Sequence, residues 1–328
     1  MMDATSQAAA AFDAGHPRVE QLLDNIDRII VGKRPVAERL VCALIAGGHV
    51  LLEDVPGVGK TLLAKTLAQS LSLGFSRVQF TPDLLPSDVL GVSVFDPGTR
   101  QFSFRPGPVF TNLLLADEIN RTSPRTQSAL LEVMEEEQVT VDGHTYPVEA
   151  PFMVVATENP IEYAGTFPLP EAQLDRFLFR LHMGYPTPHE EVELLQRVQK
   201  DVMSAAVQPV MTQADILQLR RAAAGVRAQD HVLRYLAQVA EHTRDQSRLY
   251  LGASPRSLVA LLRAAQAWAL MHGRPYVIPD DIRLLAPDVL VHRLIPRGGV
   301  RREGHAVVRE IVEDILAKVP VPAGESRP

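Results

Sequence analysis

Lys60 and Thr61 close the stretch LLEDVPGVGKT (51–61), and those two side chains at that spacing suit a nucleoside triphosphate. In a loop of the form G-x-x-x-x-G-K-[ST], backbone N–H groups cradle the phosphates. The lysine reaches the β and γ phosphates, and the hydroxyl ligates Mg2+. Gly57 and Gly59 keep side chains clear of that anion, yet the place of the motif's first glycine is held by Asp54. A carboxylate beside a triphosphate repels it. Either the match is accidental or Asp54 faces away from the phosphates.

Other stretches carry compatible chemistry. NLLLADEINR sets Asp117 and Glu118 directly behind an apolar run. Asp117 would hold the water shell of Mg2+, and Glu118 would orient and activate a water for attack on the γ-phosphate. FMVVATENP ends in Asn159, a neutral donor and acceptor suited to positioning that water. Arg176 in LPEAQLDRF has no obvious route to its own phosphates, so it suits an arginine finger given to a neighbouring subunit. Arg256 in GASPRS opens a helix of a second domain and could couple phosphate contact to movement of that domain. Each has a blander reading: a Gly-punctuated turn, solvated carboxylates at a strand end, a turn Asn before Pro, and surface ion pairs worth under about 1 kcal/mol.

The elements that must hold these residues are legible in the patterning. HVLLED, SRVQF, TNLLLAD, FMVVAT and FLFRLHM are short apolar runs rich in Val, Leu and Phe, which predict buried strands. TLLAKTLAQSL and SPRTQSALLEVMEEE between them predict helices, the second with a Ser cap and Pro at its first position. Such alternation predicts a parallel sheet covered on both faces. GKT then lies between a strand and a helix, and a parallel sheet brings its strand ends and helix starts to one edge, where Asp117 and Glu118 converge on Lys60. VSVFDPGTRQFSFRPG and EEEQVTVDGHTYPVEA alternate apolar and polar residues around PG and DG turns and predict two inserted β-hairpins. From Glu190 onwards only helical periodicity remains, which predicts a small all-helical second domain beyond the Pro-rich YPTPHEE.

Taken in order, the GKT loop, LLLADEINR, ATENP, LDRF and GASPRS resemble the Walker A, Walker B, sensor 1, arginine finger and sensor 2 elements of AAA+ ATPases. QFTPDLLPSDVLG, RTSPRTQSALLEVMEE, TFPLPEAQLDRF and PDVLVHRL look like the MoxR family, and the likeness runs from about Val19 to Pro296. The resemblance implies an α/β fold: an AAA+ P-loop NTPase core with a parallel five-stranded sheet in the order 5-1-4-3-2, two inserted hairpins, and a small helical lid. It implies an ATP-hydrolysing protein with ATP and Mg2+ as ligands. Ile30, Val31 and Gly32 would hold adenine, and Pro56, Gly57, Val58, Gly59, Lys60, Thr61 and Leu62 the phosphates. Thr61 and Asp117 would serve the metal. Glu118, Asn159, Arg176 and Arg256 would be catalytic, with Arg256 acting either in cis or in trans. The family further implies a ring, usually a hexamer, a von Willebrand factor A domain partner, and chaperone-like maturation or assembly of a protein client. Asp54 departs from the family's usual loop. Because it precedes the glycines that approach phosphate, nucleotide binding is expected to survive it.

The expected organisation is a flexible tail at 1–17, the nucleotide-binding core at 18–186, the lid at 187–320 and a flexible tail at 321–328. At 328 residues the chain is long enough for two domains. A net charge of -6 leaves no global basic field to draw it to nucleic acid or anionic lipid. The hairpin VFDPGTRQFSFR, with Arg100, Arg105 and three phenylalanines, keeps a DNA motor as a minor alternative. A nucleotide-gated scaffold with little turnover is the other, although Glu118 and Arg176 have no use in one. Cys42, the single cysteine, sits in the apolar run VCALIA and reads as a core residue. No apolar run approaches the roughly 20 residues that span a bilayer, and the N-terminus lacks a signal-peptide pattern, so a cytoplasmic protein is expected.

Overall fold

The computed structural model describes residues 4–55, 57–98, 100–159, 165–199, 207–297 and 301–322, without the side chains of 4–16 and 301–305. Helix α1 (Ala4–Ile29) and helix α2 (Arg34–Ala46) precede strand β1 (His49–Glu53). Then come α3 (Lys60–Ser70), β2 (Phe75–Gln79), the short α4 (Pro86–Leu90), and a hairpin of β3 (Gly91–Asp96) and β4 (Gln101–Pro106). Strand β5 (Leu113–Asp117) runs through a 3-10 turn (Ile119–Arg121) into α5 (Pro124–Glu136), which leads to a second hairpin of β6 (Gln138–Val141) and β7 (His144–Pro147). The core closes with β8 (Met153–Glu158), α6 (Glu171–Leu174) and β9 (Phe177–Leu181).

Five of these strands form one sheet in the order β2-β5-β8-β1-β9. Numbered among themselves, they read 5-1-4-3-2 from the opposite edge, as the resemblance implies. The β2–β5, β5–β8 and β1–β8 pairings are all parallel. Every residue of β5 and β9 is buried, as expected of strands covered on both faces. Leu114, Val154, Leu130, Phe152 and Phe177 share one core on a sheet face, and Cys42 is fully buried in α2. Both inserted hairpins are present with the antiparallel pairing that their turns predict. Helix α5 carries the expected cap, with Ser123 accepting from Thr126 N and Pro124 at the first position.

His49 anchors the start of β1. The N–H of Val154 can only donate, so Nδ1 accepts it at 3.0 Å, and Nε2 donates to the Met134 carbonyl at 2.9 Å. One buried imidazole thus joins β1, β8 and α5.

Two compact units emerge: Glu20–Phe177 with Leu181–Leu217, and Gln218–Pro328 with Leu178–Arg180 and Met1–Val19. The expected boundary at 187 therefore differs, since α7 (Pro188–Gln199) and the start of α8 (Gln213–Ala224) cluster with the core. The second unit contains α9 (Asp230–Arg244), α10 (Pro255–Met271), α11 (Pro279–Leu290) and α12 (Arg301–Lys318). It is not all-helical. Strand β10 (Leu249–Leu251) pairs antiparallel with β11 (Ile295–Pro296), a two-residue partner too short to show any alternation in sequence. The stretch read as a loose tail at 1–17 also differs, because helix α1 starts at Ala4. Its alanine-rich ATSQAAAA has high intrinsic helix propensity, which the sequence reading overlooked. At the other end, 323–328 of the expected C-terminal tail lies outside the described residues.

Candidate functional site

The loop between β1 and α3 is shaped by backbone conformation. Gly57 and Gly59 have φ of 88° and 96°, and a Cβ added at either would meet nothing within 4 Å. Glycine is therefore needed there for the left-handed backbone, while the space beside it stays open. Gly59 occupies the N-cap position of α3 without a side-chain cap, and the first turn holds no acidic residue. Free N–H groups at a helix start, with the positive end of the helix dipole behind them, form an anion site. Val58, Thr61 and Leu62 lie half-buried around that start, and Pro56 falls outside the described residues.

Lys60 is buried and its Nζ donates to the Asp54 carbonyl at 2.7 Å. Burial lowers its pKa, against the opposing pull of Asp54, Asp117 and Glu118. Those three carboxylates therefore share the neighbourhood of the ammonium, as the sheet edge predicts for the last two. The Asp54 carboxylate itself is buried and accepts from the backbone N–H groups of Met183 and Gly184, beyond the end of β9. Its backbone N–H donates to Glu158 O at 3.1 Å, continuing the β1–β8 ladder. Lys33 grips the same chain segment from its other side, donating from Nζ to the carbonyls of Met183 at 2.8 Å and Tyr185 at 3.2 Å.

Asp117 ends β5 and has both oxygens engaged. Oδ1 accepts the Thr157 hydroxyl at 2.6 Å, and Oδ2 accepts Arg77 Nη2 at 2.6 Å and Nε at 3.2 Å. Glu118 follows with φ 57° and ψ 50°, a left-handed conformation uncommon for a residue with a side chain. Its carboxylate accepts from Gln79 Nε2 at 2.7 Å and Arg121 Nη1 at 3.0 Å. Asn159 is buried one residue past β8. A carboxylate offers about four lone-pair directions, so Asp117 keeps acceptor capacity for a metal. Among the described residues no group of three or more His, Cys, Asp or Glu could cage a metal. An ion such as Mg2+ keeps several waters and takes one or two protein ligands together with substrate phosphates.

The remaining expected site residues lie on separate pieces of the chain. Ile30, Val31 and Gly32 occupy the α1–α2 junction, where a Cβ on Gly32 (φ 69°) would come within 1.9 Å of Glu190 Oε1. Arg176 follows α6 and lies against α5, donating from Nη1 to the Leu131 carbonyl and pairing with Glu135 at 3.1 Å. Arg256 belongs to the other compact unit, exposed in the first turn of α10 behind the Ser254 cap. Sequence reasoning missed Thr157, Arg77 and Gln79. A signal existed for the last two: SRVQF alternates, putting Arg77 and Gln79 on one face of a strand, and that strand pairs with β5.

Comparison with known proteins agrees with this architecture. Residues 49–179 match the model of the ATPase family associated with various cellular activities (AAA), and residues 241–315 match the AAA lid domain. An uncharacterized protein of Bacillus subtilis (strain 168), YeaC, is 52% identical over 309 residues, covering 93% of this chain and 96% of that one. Chaperone MoxR1 of Mycobacterium tuberculosis (strain ATCC 25618 / H37Rv) is 44% identical over 286 residues, covering 84% and 75%. The crystal structure of a candidate ATPase from Cytophaga hutchinsonii ATCC 33406 superposes with a TM-score of 0.87 at 38% identity, covering 98% of each chain. With a P-loop on β1, an acidic pair ending β5 and a lid-family match behind them, the chain belongs to the MoxR family of AAA+ ATPases.

Proposed function

We propose that the protein binds ATP with Mg2+ and hydrolyses it, and that it uses the cycle, as a ring, to remodel or mature a protein client. The observation that carries the hydrolytic reading is the convergence of Asp117 and Glu118 on the buried ammonium of Lys60, beside an uncapped helix start. In this reading Lys60 and the first N–H groups of α3 hold the phosphates, and Thr61 and Asp117 hold the metal. Bound there, the metal would neutralise charge on the phosphate oxygens. Glu118 takes a proton from the attacking water, and Asn159 orients that water.

Arg176 would act on the nucleotide of a neighbouring subunit. Its guanidinium partners on α5, Leu131 O and Glu135, support a group not spent on its own P-loop. Arg256 would report phosphate to the second unit. The partner class is that of the resemblance, a von Willebrand factor A domain protein. The client belongs to protein maturation or assembly, as the name of the mycobacterial relative, Chaperone MoxR1, supports. Phosphate release measured against protein concentration tests this. Turnover that rises with assembly, and is lost in Glu118→Gln while ATP binding persists, is expected. Binding without release at any concentration would leave a scaffold instead.

A further inference from the structure

Thr157 is fully buried on β8, and its hydroxyl has two partners whose roles are unambiguous. The N–H of Glu118 can only donate, so Oγ1 accepts it, at 2.8 Å. The Asp117 carboxylate accepts the hydroxyl proton, at 2.6 Å. A hydroxyl has one donor and two acceptor sites, so both bonds form at once.

The register explains why a side chain is needed here. The β5–β8 pairing runs from Leu113↔Met153 to Ala116↔Ala156 and then stops. Thr157 itself continues on its other side, paired with Leu52 of β1. Strand β5 leaves the sheet at Glu118, in the left-handed conformation, to enter the 3-10 turn. The Glu118 N–H would be a part-buried donor without its ladder partner at that departure, and the Thr157 hydroxyl takes it up.

We propose that Thr157 is the positioning residue for the acidic pair: one hydroxyl fixes the backbone turn that aims Glu118 and orients the Asp117 carboxylate. The strand that ends beside Asn159 thereby sets the geometry of both acids. This rests on the hydrolytic reading above for its consequence in rate, but not for its consequence in structure.

The test uses full-length protein with Thr157→Val, which keeps the β-branched shape and removes the hydroxyl, and Thr157→Ser, which restores it. Two readouts are needed: hydrogen exchange of the Glu118 amide without nucleotide, and steady-state phosphate release across a Mg2+ titration. The Val variant is expected to lose protection at Glu118, to drop kcat by roughly 10²-fold, as misplacement of a catalytic group by about 1 Å does, and to need more Mg2+. Its ATP Kd is expected to stay near the wild-type value, and Ser is expected to recover both rate and protection. A merely structural role would move the unfolding midpoint without the Mg2+ shift or the Ser rescue, and that result would overturn the proposal. Wild-type kcat and Mg2+ dependence in the Val variant would overturn it too. If the wild-type protein releases no phosphate, the hydrolytic reading fails alone. Exchange then decides the positioning: protection lost in Val and kept in Ser supports it, and equal protection in all three overturns it. Should the Val chain not fold, Thr157→Cys, with a weak donor of similar size, takes its place under the same criteria.

Discussion

Replacing Asp54 by glycine restores the motif's first glycine and removes the feature that set this loop apart. The structure makes the outcome calculable. The carboxylate is buried and accepts from Met183 N and, at 3.2 and 3.3 Å, from Gly184 N. Hydrogen bonds to a charged group contribute about 1.5–3 kcal/mol each. Two such bonds at the lower figure give about 3 kcal/mol, and the extra backbone freedom of glycine adds roughly 0.5–1 kcal/mol. Rehydration of the two N–H groups and release of the carboxylate from its buried position offset part of this, leaving a net loss of about 2–3 kcal/mol. The carbonyl that holds Lys60 survives the change, so the phosphate loop keeps that anchor. ATP affinity should then change by less than about tenfold, which is about 1.4 kcal/mol. Urea unfolding with a fixed m-value measures the first quantity, and titration calorimetry with ATP the second. Unaltered stability together with ATP binding tightened far beyond tenfold would refute the reasoning. It would mean that the carboxylate faces the nucleotide and not the segment after β9.

Other consequences can be measured on the same protein. Burial holds the pKa of Lys60 below its ordinary 10.5, and the protonated form is the one that attracts phosphate. ATP affinity should therefore fall, as pH rises, before the ordinary lysine range is reached. Lys60→Arg should flatten that fall, and a wild-type affinity constant up to pH 10.5 would contradict the burial argument. Subunits carrying Arg176→Ala mixed with subunits carrying Lys60→Ala should regain phosphate release at mixed interfaces. Absence of rescue would argue against an arginine acting in trans. Arg77→Ala frees Asp117 Oδ2 from a cation and should lower the Mg2+ needed for half-maximal turnover, by up to about tenfold. A raised requirement would show instead that Arg77 holds Asp117 in its working orientation.

What one chain determines by itself is what depends on near neighbours along it. Four of the five strands read as buried are so, and both hairpins, the Ser123 cap and the glycines of the phosphate loop follow from periodicity, turn chemistry and left-handed backbone conformation, each settled within a few residues. Strand β2, at an edge of the sheet, differs, with only Val78 buried and Arg77 and Gln79 exposed. The convergence of Asp117 and Glu118 on Lys60 was also legible, because a parallel sheet aligns strand ends on one edge whatever the side chains are. The alanine-rich start of α1 was legible in principle, since helix propensity needs no tertiary partner. Hydrogen bonds across the fold were not. Asp54 reaches backbone donors 129 and 130 residues away, and Thr157 ties together two acids about forty residues back, at the end of a neighbouring strand. Only strand order and register bring such groups within hydrogen-bonding distance. They are set by the packing of the whole sheet, so the carboxylate that looked like a flaw in the phosphate loop acquires its partners only in the folded protein.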